Sequence, residues 1–159
     1  MIRRMEEGDL QQVCDIESRC FSVPWTYDIF RDSIFRKEYV YLVFITEKQI
    51  VGYCGLLDIG GEGDIVNVAV HPAYRNRQIG RELLEALLQE GIKRGISAFT
   101  LEVRVSNGAA IHIYEEAGFV PAGVRPGYYE KPREDALIMW KRQAMDGTIT
   151  TVFPANSHV

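Results

Sequence analysis

The sequence predicts an α/β fold of the α+β kind, in which helices pack on a mixed sheet. Two patterns predict it. YVYLVFIT and QIVGYCGLLDI are runs of β-branched and aromatic residues on either side of the polar pair Glu47-Lys48, the signature of an antiparallel hairpin. DIVNVAV, the amphipathic IGRELLEALLQEGIKRG and the alternating AFTLEVRV then follow as strand, helix and strand. That order needs a crossover, and crossovers join parallel neighbours along a right-handed path. A sheet containing both connections is mixed.

Each element has its own signal. Leu10, Val13, Ile16, Cys20 and Phe21 fall at helical spacing behind Asp9, which the spacing predicts as the N-cap of a first helix. The turn SVPW leads to Thr26, a cap residue for TYDIFRDSIFRK, where Ile29, Phe30, Ile34 and Phe35 repeat at helical spacing. After the hairpin, GGEG resets the chain before DIVNVAV, and HPAYRNR breaks it again. In the long helix that follows, Ile79, Leu83, Leu84, Leu87, Leu88 and Ile92 form one apolar stripe. AFTLEVRV sets Phe99, Leu101, Val103 and Val105 against Thr100, Glu102 and Arg104. NGAAIHIYEEAG predicts a further helix with Gly118 at its C-terminal end, and FVPAGVRPGYYE and EDALIMWKR predict the last strands. Beyond Gln143, the segment TITTVF predicts either an edge strand or part of a loosely held tail.

A chain of 159 residues, 47% hydrophobic and 25% charged, predicts a single globular domain. No apolar run approaches the roughly 18 to 20 residues of a membrane span. MIRRMEEGDLQQ lacks the apolar centre of a secretory signal, and Cys14, Cys20 and Cys54 are scattered, so a reducing cytoplasm is expected. A net charge of -4 and a pI near 5.4 argue against general nucleic-acid binding. His71, His112 and His158 have no ligand-spaced partners, so no metal is expected, and there is no G-x-S-x-G elbow.

Two stretches could carry chemistry. In RNRQIGRELLEAL the chain enters a helix near Ile79, where open N–H groups and a positive dipole end suit a phosphate, and Gly80 permits close approach. Arg75, Arg77 and Arg81 there suit a compact polyanion, although a solvated charged face has the same composition. In LEVRVSNGAAIHIYEEAGF, Glu102 lies opposite Leu101 and Val103, a position that faces either water or a ligand at the C-terminal end of a parallel strand. Tyr114 follows Asn107 by two helical turns, about 10 Å along one face. An N-cap and a half-buried aromatic are their ordinary roles.

Together these motifs resemble the GNAT superfamily of acetyl-CoA-dependent N-acetyltransferases over residues 1–142, with 143–159 as a tail. RNRQIG is similar to the family's pyrophosphate loop, Gln/Arg-x-x-Gly-x-Gly/Ala, with Gln78 where the family has its first glycine. CFSVPW, LEVRVSN, AAIHIYEEAGF, GYY and EDALIMW further resemble the RimI type, which acetylates the N-terminal amine of a small-subunit ribosomal protein. The resemblance implies about seven strands flanked by about four helices. It implies acetyl-CoA as cosubstrate, no metal, and direct transfer to an N-terminal amine, with alanine as the expected first residue. By the same resemblance the backbone of Val68, Ala69 and Val70 pairs with the pantetheine arm. Asn76, Arg77, Gln78, Ile79, Gly80 and Arg81 cradle the pyrophosphate, and Asn107 contacts the cofactor. Glu102 is then the general base and Tyr114 the general acid.

Trp25, Tyr128 and Tyr129 are the expected aromatic wall of the acceptor site, with Glu130, Glu134 and Asp135 nearby to attract a basic ribosomal tail. A lysine side chain, a small-molecule amine, or a non-catalytic acyl-CoA sensor are the other readings. Near neutral pH an α-amine of pKa roughly 7.7 to 8.0 is mostly protonated, so a base must act. An ordinary glutamate at about 4.3 is too acidic, so the chemistry predicts a Glu102 raised by burial or working through water. For Tyr114 it predicts either a lowered phenol pKa or a proton that moves as the sulfur departs.

Overall fold

Antiparallel hairpins build the first half of the sheet in a computed structural model that describes residues 1–143 and 149–150. β1 (Ile2–Arg4), β2 (Tyr39–Thr46), β3 (Gln49–Ile59) and β4 (Glu62–Val70) pair in that order. Glu47 and Lys48 have φ of 50 and 64°, and Gly60 and Gly61 have 59 and 92°. Positive φ at both central residues is the tight hairpin geometry that matches strand twist. GGEG therefore opens as the turn of a second hairpin, between β3 and β4. β1 has no sequence period to announce it. It is held by its arginines: Arg3 reaches Asp9 through bonds of 2.7 and 2.9 Å, and Arg4 lies 3.7 Å from Glu90.

That use of Asp9 corrects an expectation. Its carboxylate accepts the Glu6 N–H at 2.7 Å and closes a 3-10 turn over Glu7–Asp9, so it gives α1 (Leu10–Cys20) no side-chain cap. Thr26 does cap α2 (Tyr27–Ile34), accepting from the Ile29 N–H at 3.3 Å. Both helices cover one face of the sheet, where Leu10, Val13, Ile16 and Phe30 meet Tyr41, Val43, Tyr53 and Ala69. The stripe expected on α2 is only partly used. Phe30 is fully buried, while Ile29 and Phe35 stay 43% and 69% exposed.

The opposite face carries α3 (Ile79–Lys93) and α4 (Gly108–Glu116). Leu83, Leu84, Leu87 and Leu88 pack there against Val40, Leu42, Cys54 and Leu56. Asn107 caps α4 by accepting from the Ala110 N–H at 3.2 Å. Gly118, at φ 98°, ends it, with bonds of 3.0 Å from Phe119 N–H to the Tyr114 carbonyl and from Gly118 N–H to the Glu115 carbonyl.

β5 (Ala98–Arg104), β6 (Val120–Tyr129) and β7 (Glu134–Gln143) complete the path β1-β2-β3-β4-β5-β7-β6, and β8 (Ile149–Thr150) pairs with the end of β7. The rest of the expected tail, 144–148 and 151–159, lies outside the described residues. Among the described residues no helix is long and apolar enough to cross a membrane.

The join between the two halves positions the site. β4 and β5 are parallel, as the crossover requires, yet they pair only at Glu62↔Ala98, Gly63↔Phe99 and Asp64↔Thr100. Immediately afterwards Gly55 faces Asn67 while Leu56 faces Ile65, leaving Val66 as an extra residue on β4. Such a bulge bends the strand that carries it. Past it, Ile65 to Val70 and Leu101 to Arg104 have no pairing across the β4–β5 join.

Candidate active site

A cavity of about 700 Å³ fills that gap. The α1–α2 connection contributes Phe21, Ser22, Val23 and Trp25; β4 contributes Asp64 to Val68; β5 contributes Glu102 to Arg104; α4 contributes Tyr114; β6 contributes Tyr128 and Tyr129. The structure thus brings Glu102, Tyr114, Trp25, Tyr128, Tyr129 and Val68 to one space. Asn107 and the segment Asn76 to Arg81 do not line it. They lie instead at and around the N-terminal ends of α4 and α3.

Ladder parity sharpens the role of β4. The His71 N–H bonds the Val51 carbonyl at 2.8 Å, and the register pairs Gly52 with Val70 and Tyr53 with Ala69. In an antiparallel ladder alternate residues bond the same neighbour, so Ala69 joins His71 in facing β3. Val68 and Val70 are the residues whose N–H and C=O groups face the gap. Ala69, expected to pair with a ligand through its backbone, is committed to β3.

Glu102 is partly exposed, and the Arg125 Nε lies 3.3 Å from its carboxylate. Tyr114 is 8% exposed and packs against the Phe119 ring at 5.9 Å. Burial raises its phenol well above the ordinary tyrosine value, so the lowered pKa considered for it is not what the fold provides. Burial likewise raises Tyr129 to about 12. The Arg104 guanidinium sits 4.4 Å from the Tyr129 ring centre and donates to the carbonyls of Glu130 and Pro132 at 3.0 and 2.9 Å. Glu134 pairs with Arg104 at 3.2 Å and accepts the Ser106 N–H at 2.7 Å, while Asp135 accepts the Gly127 N–H at 2.8 Å. Of the acidic trio expected to attract a basic tail, only Glu130 lines the cavity.

Sequence reasoning missed three polar residues. Glu17 is 2% exposed and accepts from the Trp25 N–H at 2.9 Å, from the Tyr53 hydroxyl, and from the Asn67 side-chain amide at 3.1 Å. Burial raises its carboxyl above the ordinary range, against those three donors. Asn67 keeps its Oδ1 buried and without a partner. Asp64 is raised to about 6, by burial first and then by the charge of Glu102, with Arg125 opposing. A signal for Glu17 was present: it shares the helical stripe of Val13 and Cys20.

At the loop before α3, Asn76 and Gln78 have φ of 63 and 65°. Gln78 thus adopts the left-handed conformation that glycine takes most easily. Gln78 is the N-cap of α3 and makes no side-chain cap bond, so the N–H groups of the first turn remain open to a ligand. A Cβ built on Gly80 would meet only the side chains of Val70 and Ile113, at 3.6 and 3.9 Å. These are ordinary contacts, so the space above Gly80 is not demanded by packing. Arg81 donates to the Gln78 Oε1 at 3.2 Å and pairs with Glu116, so its charge is partly committed. Open amides, the free β4 edge and the space at Gly80 together fit an extended ligand that carries phosphate.

The profile of the acetyltransferase (GNAT) family matches residues 10–119. The ribosomal protein bS18-alanine N-acetyltransferase of Escherichia coli (strain K12) is 36% identical over 140 residues, covering 87% of this chain and 94% of that protein. Its counterpart from Salmonella typhimurium is 35% identical over 133 residues, covering 82% and 89%. The crystal structure of the ribosomal-protein-S18-alanine N-acetyltransferase from Escherichia coli superposes with a TM-score of 0.82 at 32% identity, covering 100% of this chain and 99% of that one.

Proposed function

The chain belongs to the acetyltransferase (GNAT) family, and we propose that it transfers acetyl from acetyl-CoA directly to the N-terminal amine of a ribosomal protein whose first residue is alanine, in the cytoplasm. The observation that carries this is Glu102 and Tyr114 lining one cavity beside the free edge of β4. The names of relatives at 35 to 36% identity support the acceptor.

When bound, acetyl-CoA supplies an activated acetyl group as a thioester. The backbone of Val68 and Val70 holds the extended arm, and the amides opening α3, with Gly80 beneath, hold the phosphates. Trp25, Tyr128 and Tyr129 enclose the first residues of the acceptor. Glu102 takes a proton from the acceptor's ammonium group, directly or through water, and so frees the nitrogen lone pair. As the carbon–nitrogen bond forms and the carbon–sulfur bond breaks, the Tyr114 hydroxyl delivers a proton to the sulfur, the nitrogen gives up its second proton to water, and Tyr114 is reprotonated from water. With the phenol raised by burial, that delivery is timed to the departure of sulfur rather than preceding it.

Thiol release from acetyl-CoA, measured with a panel of short peptides of varied first residue, tests the acceptor. Peptides with a free N-terminal alanine should turn over fastest, and blocking that amine should abolish turnover. A lysine acceptor, with a pKa near 10.4, is harder to deprotonate by more than two units, and should be poor. Turnover of small amines but not peptides would replace this acceptor. Binding of acetyl-CoA with no turnover of any amine would support the acyl-CoA sensor instead.

A further inference from the structure

We infer that Asp64 is a second acidic residue of the acceptor site, holding the substrate's primary ammonium group beside Glu102 while Glu102 takes its proton. The inference rests on the proposed N-terminal amine acceptor.

Asp64 occupies the last paired position of β4 with β5, opposite Thr100, and lines the cavity. Paired residues of neighbouring strands point to the same face, and Thr100 and Glu102 share a face by alternation, so the Asp64 and Glu102 side chains are diagonal neighbours. Both line one cavity and the charge of Glu102 acts on Asp64, so a primary ammonium in that space can be approached by both carboxylates.

The surroundings of Asp64 give no other reason for an acid there. β3 sets Leu57 beside it and β5 sets Thr100, neither of them charged. Tyr39 also lines the cavity. The charged and titratable groups that act on it are Glu102 from β5 and Arg125 and Tyr128 from β6. Burial and a like charge both disfavour its ionised form, and Arg125, the cation that would help, already stands 3.3 Å from Glu102. A primary ammonium placed between Asp64 and Glu102 relieves both penalties. Once one N–H proton has passed to Glu102, the acetyl carbon has bonded to nitrogen and the second N–H proton has left to water, the product is a neutral amide. Asp64 then faces no cation, which favours release.

The test compares the wild type with Asp64→Asn and Asp64→Glu, using an N-terminal alanine peptide across about pH 5.5 to 8. Loss of one charge-assisted contact should raise the peptide KM by roughly tenfold or more, with kcat within about threefold and the acetyl-CoA KM unchanged. The acid limb of kcat/KM near the Asp64 pKa should shift in Asp64→Asn, and Asp64→Glu should recover part of the affinity. Because an uncompensated acid is removed, the melting temperature of Asp64→Asn near neutral pH should rise by roughly 3 °C. A peptide whose terminal amine is replaced by hydroxyl should inhibit the wild type at least about tenfold more weakly than the amine peptide binds, and this arm needs no variant. An unchanged peptide KM, a lowered melting temperature with both KM values raised, or equal binding of the hydroxyl peptide would overturn the inference. A wild type that acetylates no N-terminal peptide would overturn the proposed acceptor as well, whereas normal peptide turnover with an indifferent Asp64→Asn overturns this inference alone.

Discussion

The two walls of the cavity treat their carboxylates in opposite ways. On the wall made by α1 and β4, Glu17 is buried and accepts from three neutral donors, on Trp25, Tyr53 and Asn67. On the wall made by β5 and β6, Glu102 meets the Arg125 guanidinium. A buried acid tied by three neutral groups fixes geometry: it locks the α1–α2 connection to β3 and β4. A partly solvated acid beside an exposed cation keeps contact with water. The fold therefore sets a structural acid and the proposed base on opposite sides of a single gap.

The sharpest way to break this contrast is Glu102→Gln. Turnover should fall by about 10²- to 10⁴-fold while acetyl-CoA affinity, measured by calorimetry, stays within about twofold. Unchanged turnover would remove Glu102 as the base. Next in size, Glu17→Ala leaves the Tyr53 hydroxyl and the Trp25 N–H without their acceptor and removes one of the two bonds of the Asn67 amide, and should lower stability by about 2 to 4 kcal/mol in urea unfolding.

Glu17→Gln is milder and is read through pH. The folded pKa of Glu17 lies above its unfolded value of 4.5, so its contribution to stability is complete below that value and is lost as pH rises through the folded pKa. The variant should gain on the wild type as pH climbs above 4.5. Asp9 has the opposite sign. The Arg3 hydrogen bond lowers it, so its contribution is present above 3.8 and is lost as pH falls through the folded value. Asp9→Asn should therefore flatten the acid end of the stability curve. Smallest of all, Gln78→Gly should change the melting temperature by less than about 3 °C and acetyl-CoA affinity by less than about threefold, since the backbone already holds φ 65°.

How much of this could be read from the chain depended on whether a feature was local. Thr26, Asn107 and Gly118 announce helix ends because caps use adjacent residues. Glu102 and Tyr114 were singled out by their motif, and both line the cavity. Asn67 was hidden because the extra residue Val66 reverses the alternation of DIVNVAV: Val66 and Ala69 pack with the α1–α2 core, while Ile65, Val68 and Val70 pack under α3. A period of two cannot reveal its own interruption. Asp64 was hidden because its surroundings depend on the β4–β5 register, which no stretch of sequence states. β1 was hidden because three residues are too few to show a period at all.

The seam between β4 and β5, held by pairings at Glu62, Gly63 and Asp64 alone, ties catalysis to folding. A ligand that lies along Val68 and Val70 adds rungs where the protein makes none, and so acts as part of the scaffold. Mass action sets the size of the effect: at a hundred times its dissociation constant, such a ligand adds about 2.7 kcal/mol to the stability of the native state. Inside a cell, the supply of acetyl donor would then govern how long each copy of the protein survives, as well as how fast it works.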